Sequence, residues 1–337
     1  TVTQMDFGFD ASFLNNRLTG TFDWYRRNTK DMLVAGATLP ATLGASVPKS
    51  NSADMKTIGW ELSLGWNDRL ENGFSYWVKG VLSDYQATIT KYAGNDAGFY
   101  SQSDGDGKYY VGQKIGEIWG YHSNGLFQSD DEAATIDQSE LYAGKWGAGD
   151  VKYEDLDNDG KITKGEETIY NPGDKSIIGN KTPRYQFGIT VGFDYKNFDF
   201  EMFWQGTGKR DYMLSGAQFW GFTSQWDVPY TPALDYWTET NTDAYFPRPG
   251  WQNGGNRVTS DRYLQSAAYG RLKNLTVGYT IPKNLTTKWG ISRLRLYVTG
   301  ENLLTITPLN DAFDPETLGG MTYPINRKVA IGLNLTL

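Results

Sequence analysis

Long stretches in which apolar and polar residues alternate one by one constrain this chain more than any other feature. Between residues 184 and 196, aromatic and aliphatic side chains at every second position are separated by polar residues or glycine. Successive side chains of a β-strand point to opposite faces, so the pattern predicts strands with one apolar and one polar face. The alternation recurs, and we predict nine antiparallel strands at 2–13, 18–28, 54–67, 74–91, 184–196, 198–208, 265–281, 293–303 and 326–337.

The lengths of these strands and of their connections favour a transmembrane β-barrel. Most strands exceed the average of about 5–6 residues found in soluble proteins and reach the roughly 9–11 residues that a tilted membrane strand needs. Outer-membrane barrels combine short periplasmic turns with long extracellular loops. The predicted connections follow this alternation without exception: 14–17, 68–73, 197 and 282–292 are short, whereas 29–53, 92–183, 209–264 and 304–325 are long.

The odd number of predicted strands implies that this barrel has a further part. Single-chain bacterial barrels have an even number of strands, and an unpaired edge cannot persist in hydrocarbon. We therefore expect strands 2–13 and 326–337 to pair with an N-terminal part of the same barrel that lies outside this sequence. The expected location is the cell outer membrane, where lipid and lipopolysaccharide would surround the barrel.

Two leucines three residues apart disturb the alternation within the predicted strand 265–281. Leu272 and Leu275 would fall on opposite faces of a regular strand. Either a β-bulge lies near Lys273 and Asn274, or the predicted register is wrong there.

Composition and motifs exclude several other classes of function. The net charge of −7 argues against binding to nucleic acid, and the absence of cysteine excludes disulfides and thiolate chemistry. His122 is the only histidine, and no serine in a nucleophile-elbow motif accompanies it, so a hydrolytic triad is not indicated. With no phosphate-binding or dinucleotide-binding motif either, we expect no enzymatic activity.

An acidic motif within the long connection 92–183 matches the calcium-loop pattern D-x-[DN]-x-[DN]-G-x5-E. Calcium prefers six to eight oxygen ligands, and a glycine permits the sharp turn that makes alternating carboxylates converge. The alternative is an acidic turn stabilised only by Asx hydrogen bonds. We predict calcium, or else magnesium, held by Asp155, Asp157, Asp159, the carbonyl of Lys161 and, in the twelfth position, Glu166.

Ten aromatic residues crowd positions 219–251 of the connection 209–264. Aromatic faces beside polar groups suit sugar rings or a protein partner, but a loop of this length also needs a core of its own. We expect most of them to pack within the loop or against a partner, and two or three to line a substrate path. The candidates for such contacts are Trp220, Trp226, Tyr230, Trp237 and Trp251.

Several short motifs follow one another along nearly the whole chain. They include Leu39-Pro40 with Leu43-Gly44, Gly59-Trp60-Glu61-Leu62-Ser63-Leu64, Asn124-Gly125-Leu126-Phe127-Gln128, Gly149-Asp150-Val151-Lys152-Tyr153, Tyr297-Val298-Thr299-Gly300-Glu301-Asn302-Leu303 and Asp314-Pro315-Glu316. Each motif is weak alone, but in this order they resemble the C-terminal part of SusC/RagA-type TonB-dependent transporters of Bacteroidetes.

The resemblance implies a 22-stranded barrel with an N-terminal plug, of which this chain would supply about nine strands. It further implies import of oligosaccharides or peptides, a SusD-like lipoprotein lid, and energy from TonB acting on the missing N-terminal portion. In that family an aspartate corresponding to Asp174 often closes the acidic loop, so Glu166 and Asp174 compete for this role. The alternative function is that of a soluble, calcium-stabilised glycan-binding β-protein, which would stay monodisperse without detergent.

Overall fold

A nine-stranded antiparallel sheet dominates the computed structural model, which describes residues 1–35, 42, 44, 48–93, 95, 98–99, 109–318 and 323–337. Its strands are hydrogen-bonded in chain order, as predicted. They are β1 (Val2–Phe13), β2 (Leu18–Ala35), β3 (Lys49–Arg69), β4 (Ser75–Tyr92), β9 (Arg184–Tyr195), β10 (Phe198–Lys209), β13 (Tyr269–Thr280), β14 (Arg293–Ile306) and β15 (Lys328–Thr336). In the described residues β1 and β15 do not pair with each other and form the two edges of an open sheet.

The remaining regular elements are short and lie in the long connections or in one turn. Three small two-stranded sheets pair β5 (Glu117–Tyr121) with β8 (Lys175–Asn180), β6 (Ser123–Leu126) with β7 (Val151–Tyr153), and β11 (Asp211–Met213) with β12 (Leu264–Ser266). The helical turns are α1 (Asp130–Ala133), α2 (Ala217–Trp220), α3 (Lys283–Thr286), and 3-10 turns at Thr231–Leu234, Gly254–Arg257 and Thr287–Trp289. Over the described ranges, none of these helices is long and apolar enough to cross a membrane.

The cross-strand register gives the sheet one apolar and one polar face. Leu62 lies opposite Leu82, which lies opposite Phe187, whereas Glu61 shares the other face with Gln186 through Ser83. The residues predicted to face lipid fall together on the apolar face, namely Trp60, Leu62, Leu64, Phe187, Ile189 and Val191. The charged residues predicted to face the lumen fall on the polar face, namely Asp6, Asp10, Glu61, Asp194, Asp199, Glu201, Arg295, Glu301 and Lys328.

A β-bulge in β13 resolves the disturbed alternation. Both neighbouring strands skip Lys273 in their pairing with β13. Leu272 consequently lies opposite Trp204 and Leu275 lies opposite Met202, two residues that share one face of β10. The extra residue thus keeps both leucines on the apolar face, and the predicted bulge is confirmed.

The predicted alternation of short and long connections is confirmed, but three strand boundaries differ by four residues or more. β2 and β3 continue well past the predicted ends at 28 and 54, because they stay paired as far as Ala35 and Lys49. The predicted strand 265–281 begins too early: the chain at 264–266 pairs with β11 instead. Part of the motif at 39–44, and residues 94, 96–97 and 100–108 of the connection 92–183, lie outside the described residues.

Aromatic side chains gather at the short-turn end of the apolar face. Trp66 donates a hydrogen bond from its indole Nε1 to the Tyr76 hydroxyl at 3.2 Å, and Phe193 stacks on Phe200 with ring centroids 5.1 Å apart. Tyr76 lies opposite Phe193, in register with the lipid-facing residues. Aromatic girdles of this kind flank the apolar band of membrane barrels, where amphipathic rings sit at the headgroup level.

Three of the four long connections share a hydrophobic core, called here the loop core. It joins residues from 92–183, 209–264 and 304–325, so these connections fold as one unit above the sheet. Its buried members are Tyr121, Leu126, Val151, Tyr153, Ile162, Leu214, Phe219, Trp220, Trp237, Ala244, Phe246, Tyr263, Ala267, Leu309, Phe313 and Leu318.

Candidate functional site

The acidic loop, residues 154–174 between β7 and β8, brings the three predicted carboxylates together. One carboxylate oxygen from each of Asp155, Asp157 and Asp159 lies within 4.8 Å of the others. Gly160 adopts φ 83°, a left-handed conformation that favours glycine and turns the chain sharply at the end of the cluster. The structure therefore forms the geometry that the spacing predicts.

Backbone hydrogen bonds hold the first carboxylate of this cluster in place. Asp155 accepts them from the amides of Asn158, Asp159 and Gly160 at 2.7, 3.3 and 2.8 Å. Desolvation acts to raise the pKa of Asp155, but these donors together outweigh it and lower the pKa. Desolvation and the neighbouring Asp159 carboxylate raise the pKa of Asp157. The loop thus concentrates negative charge that a cation would neutralise.

The two candidates for closing the acidic loop differ in their surroundings. Asp174 is fully buried, and its two oxygens accept hydrogen bonds from the amides of Leu156 and Thr163 at 2.8 and 2.7 Å. Glu166 is exposed, and its carboxylate makes no hydrogen bond or ion pair with the described residues. Neither belongs to the three-carboxylate cluster. The Lys161 carbonyl accepts no hydrogen bond within the described chain, so it is available as a ligand.

The five candidate aromatic contacts separate into two groups. Trp220 and Trp237 are each only 8% exposed and pack in the loop core. Trp226, Tyr230 and Trp251 are 83%, 49% and 47% exposed, and we call these three the aromatic surface. The buried pair therefore stabilises the loops, and only the aromatic surface is accessible to a ligand or a partner.

One arginine links the segments that carry the aromatic surface. Arg257 donates hydrogen bonds from Nη1 to the carbonyls of Phe222 and Gly250, and from Nη2 to the carbonyl of Trp251, at 3.2 to 3.4 Å. Burial lowers the pKa of Arg257. Asp227 accepts hydrogen bonds from two amides of the preceding turn, both at 2.7 Å. These hydrogen bonds hold the backbone near the exposed rings in place.

His122 lies in a hydrogen-bonded chain with a serine and an aspartate. Its Nδ1 is 2.7 Å from Asp261 Oδ2, and its Nε2 is 2.7 Å from Ser176 Oγ. Ser176 lies in β8, directly opposite Gly120 of β5, and not on the strained turn of a nucleophile elbow. These hydrogen bonds connect β8, the β5–β6 segment and the connection 209–264, so His122 helps to hold the loops together.

The polar face of the sheet carries ion pairs between predicted lumen charges. The Arg295 guanidinium binds Asp199 through Nε at 2.7 Å and Nη2 at 2.7 Å. Glu301 lies opposite Lys328, with 3.6 Å between Oε2 and Nζ. The first pair reaches across the intervening strand β13, whereas the second joins the neighbouring strands β14 and β15.

Known proteins match the chain along nearly its whole length, although no protein-family model does. TonB-dependent receptor P3 of Formosa agariphila is 29% identical over 365 residues, covering 99% of this chain and 34% of that receptor. TonB-dependent receptor SusC of Bacteroides thetaiotaomicron is 26% identical over 340 residues, covering 99% of this chain and 31% of that receptor. The resemblance to the TonB-dependent receptors is confirmed.

Solved structures support the fold of this chain independently. The RagAB peptide transporter has a TM-score of 0.74 at 21% identity, covering 99% of this chain and 35% of that chain. The chain spans about a third of the length of the curated receptors it matches, in agreement with a sheet that forms part of a barrel. The predicted all-β fold and outer-membrane location are confirmed. The relatives are receptors and transporters, in agreement with the expectation that the chain is not an enzyme.

Sequence reasoning missed one group of strong contacts around Arg271. Arg271 is buried on the polar face of β13; its Nε donates to Thr305 Oγ1 at 2.8 Å and its Nη2 to Asp314 Oδ2 at 2.6 Å. Its Nη1 lies 3.2 Å from Glu316 Oε1, close enough for an ion pair but not aligned for a hydrogen bond. Lys273 also binds Glu316, at 3.1 Å. We call Arg271, Lys273, Asp314 and Glu316 the β13 clamp. In the sequence, the only sign of it was the two basic residues at alternate positions, 271 and 273, of a strand.

Proposed function

We propose that the chain forms part of an outer-membrane importer of nutrients that is energised by TonB and works with a SusD-like surface lipoprotein. The observation that carries the proposal is the match to TonB-dependent receptors over 99% of the chain. The two-faced sheet supports it, since a transport barrel needs an apolar face towards lipid and a polar face towards its lumen. TonB would act on receptor sequence beyond these 337 residues.

The proposed substrates are oligosaccharides or peptides. A relative named SusC and structural neighbours described as a RagAB peptide importer favour these classes. The aromatic surface supports them further, because exposed aromatic faces suit both sugar rings and a protein lid. In this proposal the substrate is enclosed between the extracellular loops and the lid before it enters the lumen.

A calcium ion in the acidic loop belongs to the same proposal. Three carboxylates within 4.8 Å, together with the free Lys161 carbonyl, supply oxygen ligands of the type that calcium prefers. Asp174 would either orient the loop through the amides that donate to it or complete the coordination shell of the ion. Glu166 is the alternative residue for completing the shell. Ile162, two residues after Gly160, is 1% exposed in the loop core, so the ion would organise the core and not bind substrate directly.

Growth of a strain that lacks the receptor tests the proposed import. The strain should lose growth on one oligosaccharide or peptide of a defined panel, and the intact gene should restore it. The receptor, purified in detergent from the complemented strain, should retain a surface lipoprotein. Unchanged growth on every member of a panel that the parent strain uses, together with no associated lipoprotein, would contradict the proposal.

The alternative of a soluble glycan-binding β-protein finds less support. A soluble sheet of this size would bury one face against a second layer, yet many apolar residues of the apolar face are exposed, among them Val78, Ile189 and Val298. A detergent dependence of the purified protein would separate the two functions, because only the importer needs a substitute for lipid.

A further inference from the structure

Two tyrosines flank a glycine on the polar face of the sheet. Tyr25 of β2 and Tyr85 of β4 lie directly opposite Gly59 of β3, one on each side of it. Gly59 shares its face of β3 with Glu61, which follows two residues later, so all three residues belong to the face that borders the lumen. The two rings therefore lie along the path through the barrel.

The absence of a side chain at Gly59 lets the Tyr25 ring extend across β3. The Cζ and the hydroxyl oxygen of Tyr25 lie 2.5 Å from the position that a Cβ atom at residue 59 would take. An alanine at this position would have to displace the ring. Tyr25 is half-buried in this arrangement, and Tyr85 is 37% exposed. The wall of the lumen consequently offers aromatic surface around Gly59.

Unpartnered polar groups surround the two rings. Glu61 follows on the periplasmic side and Arg27 on the extracellular side of the same face, and both are exposed. In the part of the chain that the structure describes, these two charged groups and the hydroxyls of Tyr25 and Tyr85 make no hydrogen bond or ion pair with protein groups. We call Tyr25, Arg27, Gly59, Glu61 and Tyr85 the tyrosine site.

The tyrosine site lies near the extracellular mouth of the lumen. Gly59 precedes Arg69, where β3 ends at a short turn, by ten residues. At about 3.3 Å per residue and a tilt of about 40°, ten residues span roughly 25 Å, which is the height of the apolar band of an outer-membrane barrel. A substrate released from the extracellular loops would thus reach this site at the start of its passage.

We propose that the tyrosine site binds a ring of an uncharged oligosaccharide during import. This inference rests on the proposed import function and names the substrate class within it. Aromatic rings offer an apolar face to the C–H groups of a sugar, and its hydroxyls can donate to the Glu61 carboxylate and accept from Arg27 and the tyrosine hydroxyls. Charges of opposite sign disfavour a charged ligand, because Glu61 repels an acidic sugar and Arg27 repels a cationic peptide side chain.

Ligand binding to the full-length receptor in detergent tests the proposal. The probes are neutral glucan, xylan, mannan and fructan oligosaccharides, uronic acid oligosaccharides and lysine-containing peptides, with affinity measured by native mass spectrometry. We expect the receptor to bind at least one of the neutral oligosaccharides. For that ligand, Tyr25→Ala and Tyr85→Ala should each weaken binding about tenfold and Glu61→Gln about fivefold, because each variant removes one contact.

Gly59→Ala tests the position of the Tyr25 ring without removing it. The added methyl group would push the ring away from β3, so affinity should fall although every ring and polar group remains. Tyr297→Ala is the matched control. The Tyr297 ring likewise lies over a glycine of the neighbouring strand, Gly332, but near the short-turn end of β14. This control loses the same kind of packing and should keep its affinity.

Tyr25→Phe and Tyr85→Phe replace the alanine variants if these fold poorly, and each should bind about threefold more weakly through the loss of one hydroxyl. Three results would overturn the proposal: no neutral oligosaccharide binds, only acidic oligosaccharides or peptides bind, or the tyrosine-site variants keep the affinity of the unmodified receptor. Import itself would stand in each case, because growth of the complemented strain measures it separately.

Discussion

The side chains of the acidic loop carry the most specific prediction at the residue scale. Three carboxylates within 4.8 Å repel one another unless a cation neutralises them. We expect Asp157→Ala to lower calcium affinity at least tenfold, measured by calorimetry on the purified protein. In calcium, protease should cleave the connection 92–183 of this variant as fast as it cleaves that of the unmodified protein in chelator. The nine-stranded sheet should stay intact.

Asp131 provides the matched control for this substitution. It is an exposed aspartate in the same connection and makes no side-chain hydrogen bond or ion pair with the described residues. Asp131→Ala should leave both calcium affinity and protease resistance unchanged. Equal protease sensitivity of the unmodified loop in calcium and in chelator would count against a structural cation.

Two tryptophans of the connection 209–264 should respond in opposite ways to substitution. Trp226 is 83% exposed, so Trp226→Ala should weaken lipoprotein or substrate binding about tenfold without changing loop stability. Trp237 is 8% exposed in the loop core, so Trp237→Ala should destabilise the loops by about 3–5 kcal/mol. Binding assays and hydrogen exchange of 209–264 would measure these effects. Normal binding by the Trp226 variant would remove the aromatic surface from the proposed contact.

Only part of the behaviour of these residues could be predicted from the sequence. The spacing of Asp155, Asp157 and Asp159 predicts their convergence, because the three lie within one turn whose geometry is local. The burial of Trp220 and Trp237 depends on residues from other connections, which no local pattern reveals.

At the element scale, alternation predicts the strands because each strand contacts two different environments. The bulge at Lys273 was also predictable, since Leu272 and Leu275 can share a face only if one residue is added. The extension of β2 and β3 was not, because beyond the membrane no apolar face is required and pairing continues without an alternation signal.

The β13 clamp fixes an external connection to the barrel wall, which gives a prediction for that element. Arg271→Ala would leave Asp314 and Glu316 without their buried partner, and breaking such a pair costs about 3–5 kcal/mol. We expect faster hydrogen exchange in 307–318, measured by mass spectrometry. Lys273→Ala, at a more exposed position, should have a smaller effect. Equal protection in both variants would show that packing of Phe313 and Leu318 holds the connection instead.

At the scale of the whole molecule, the account depends on which face of the sheet meets lipid. The sequence predicts two faces from alternation alone, and the register unites the apolar residues of neighbouring strands on one of them. The shared loop core could not be predicted, because it forms between connections far apart in sequence. Similarity to TonB-dependent receptors agrees with the membrane interpretation.

Spin labelling of β9 in reconstituted bilayers tests this central claim most directly, and the absence of cysteine from the chain allows single labels at 186 to 191. Oxygen partitions into lipid, so collision rates with oxygen report which labels face the hydrocarbon. We expect high oxygen accessibility at Phe187, Ile189 and Val191, and low accessibility at the alternate positions 186, 188 and 190. Uniform accessibility along the strand, or the reversed alternation, would contradict a barrel wall with its apolar face towards lipid.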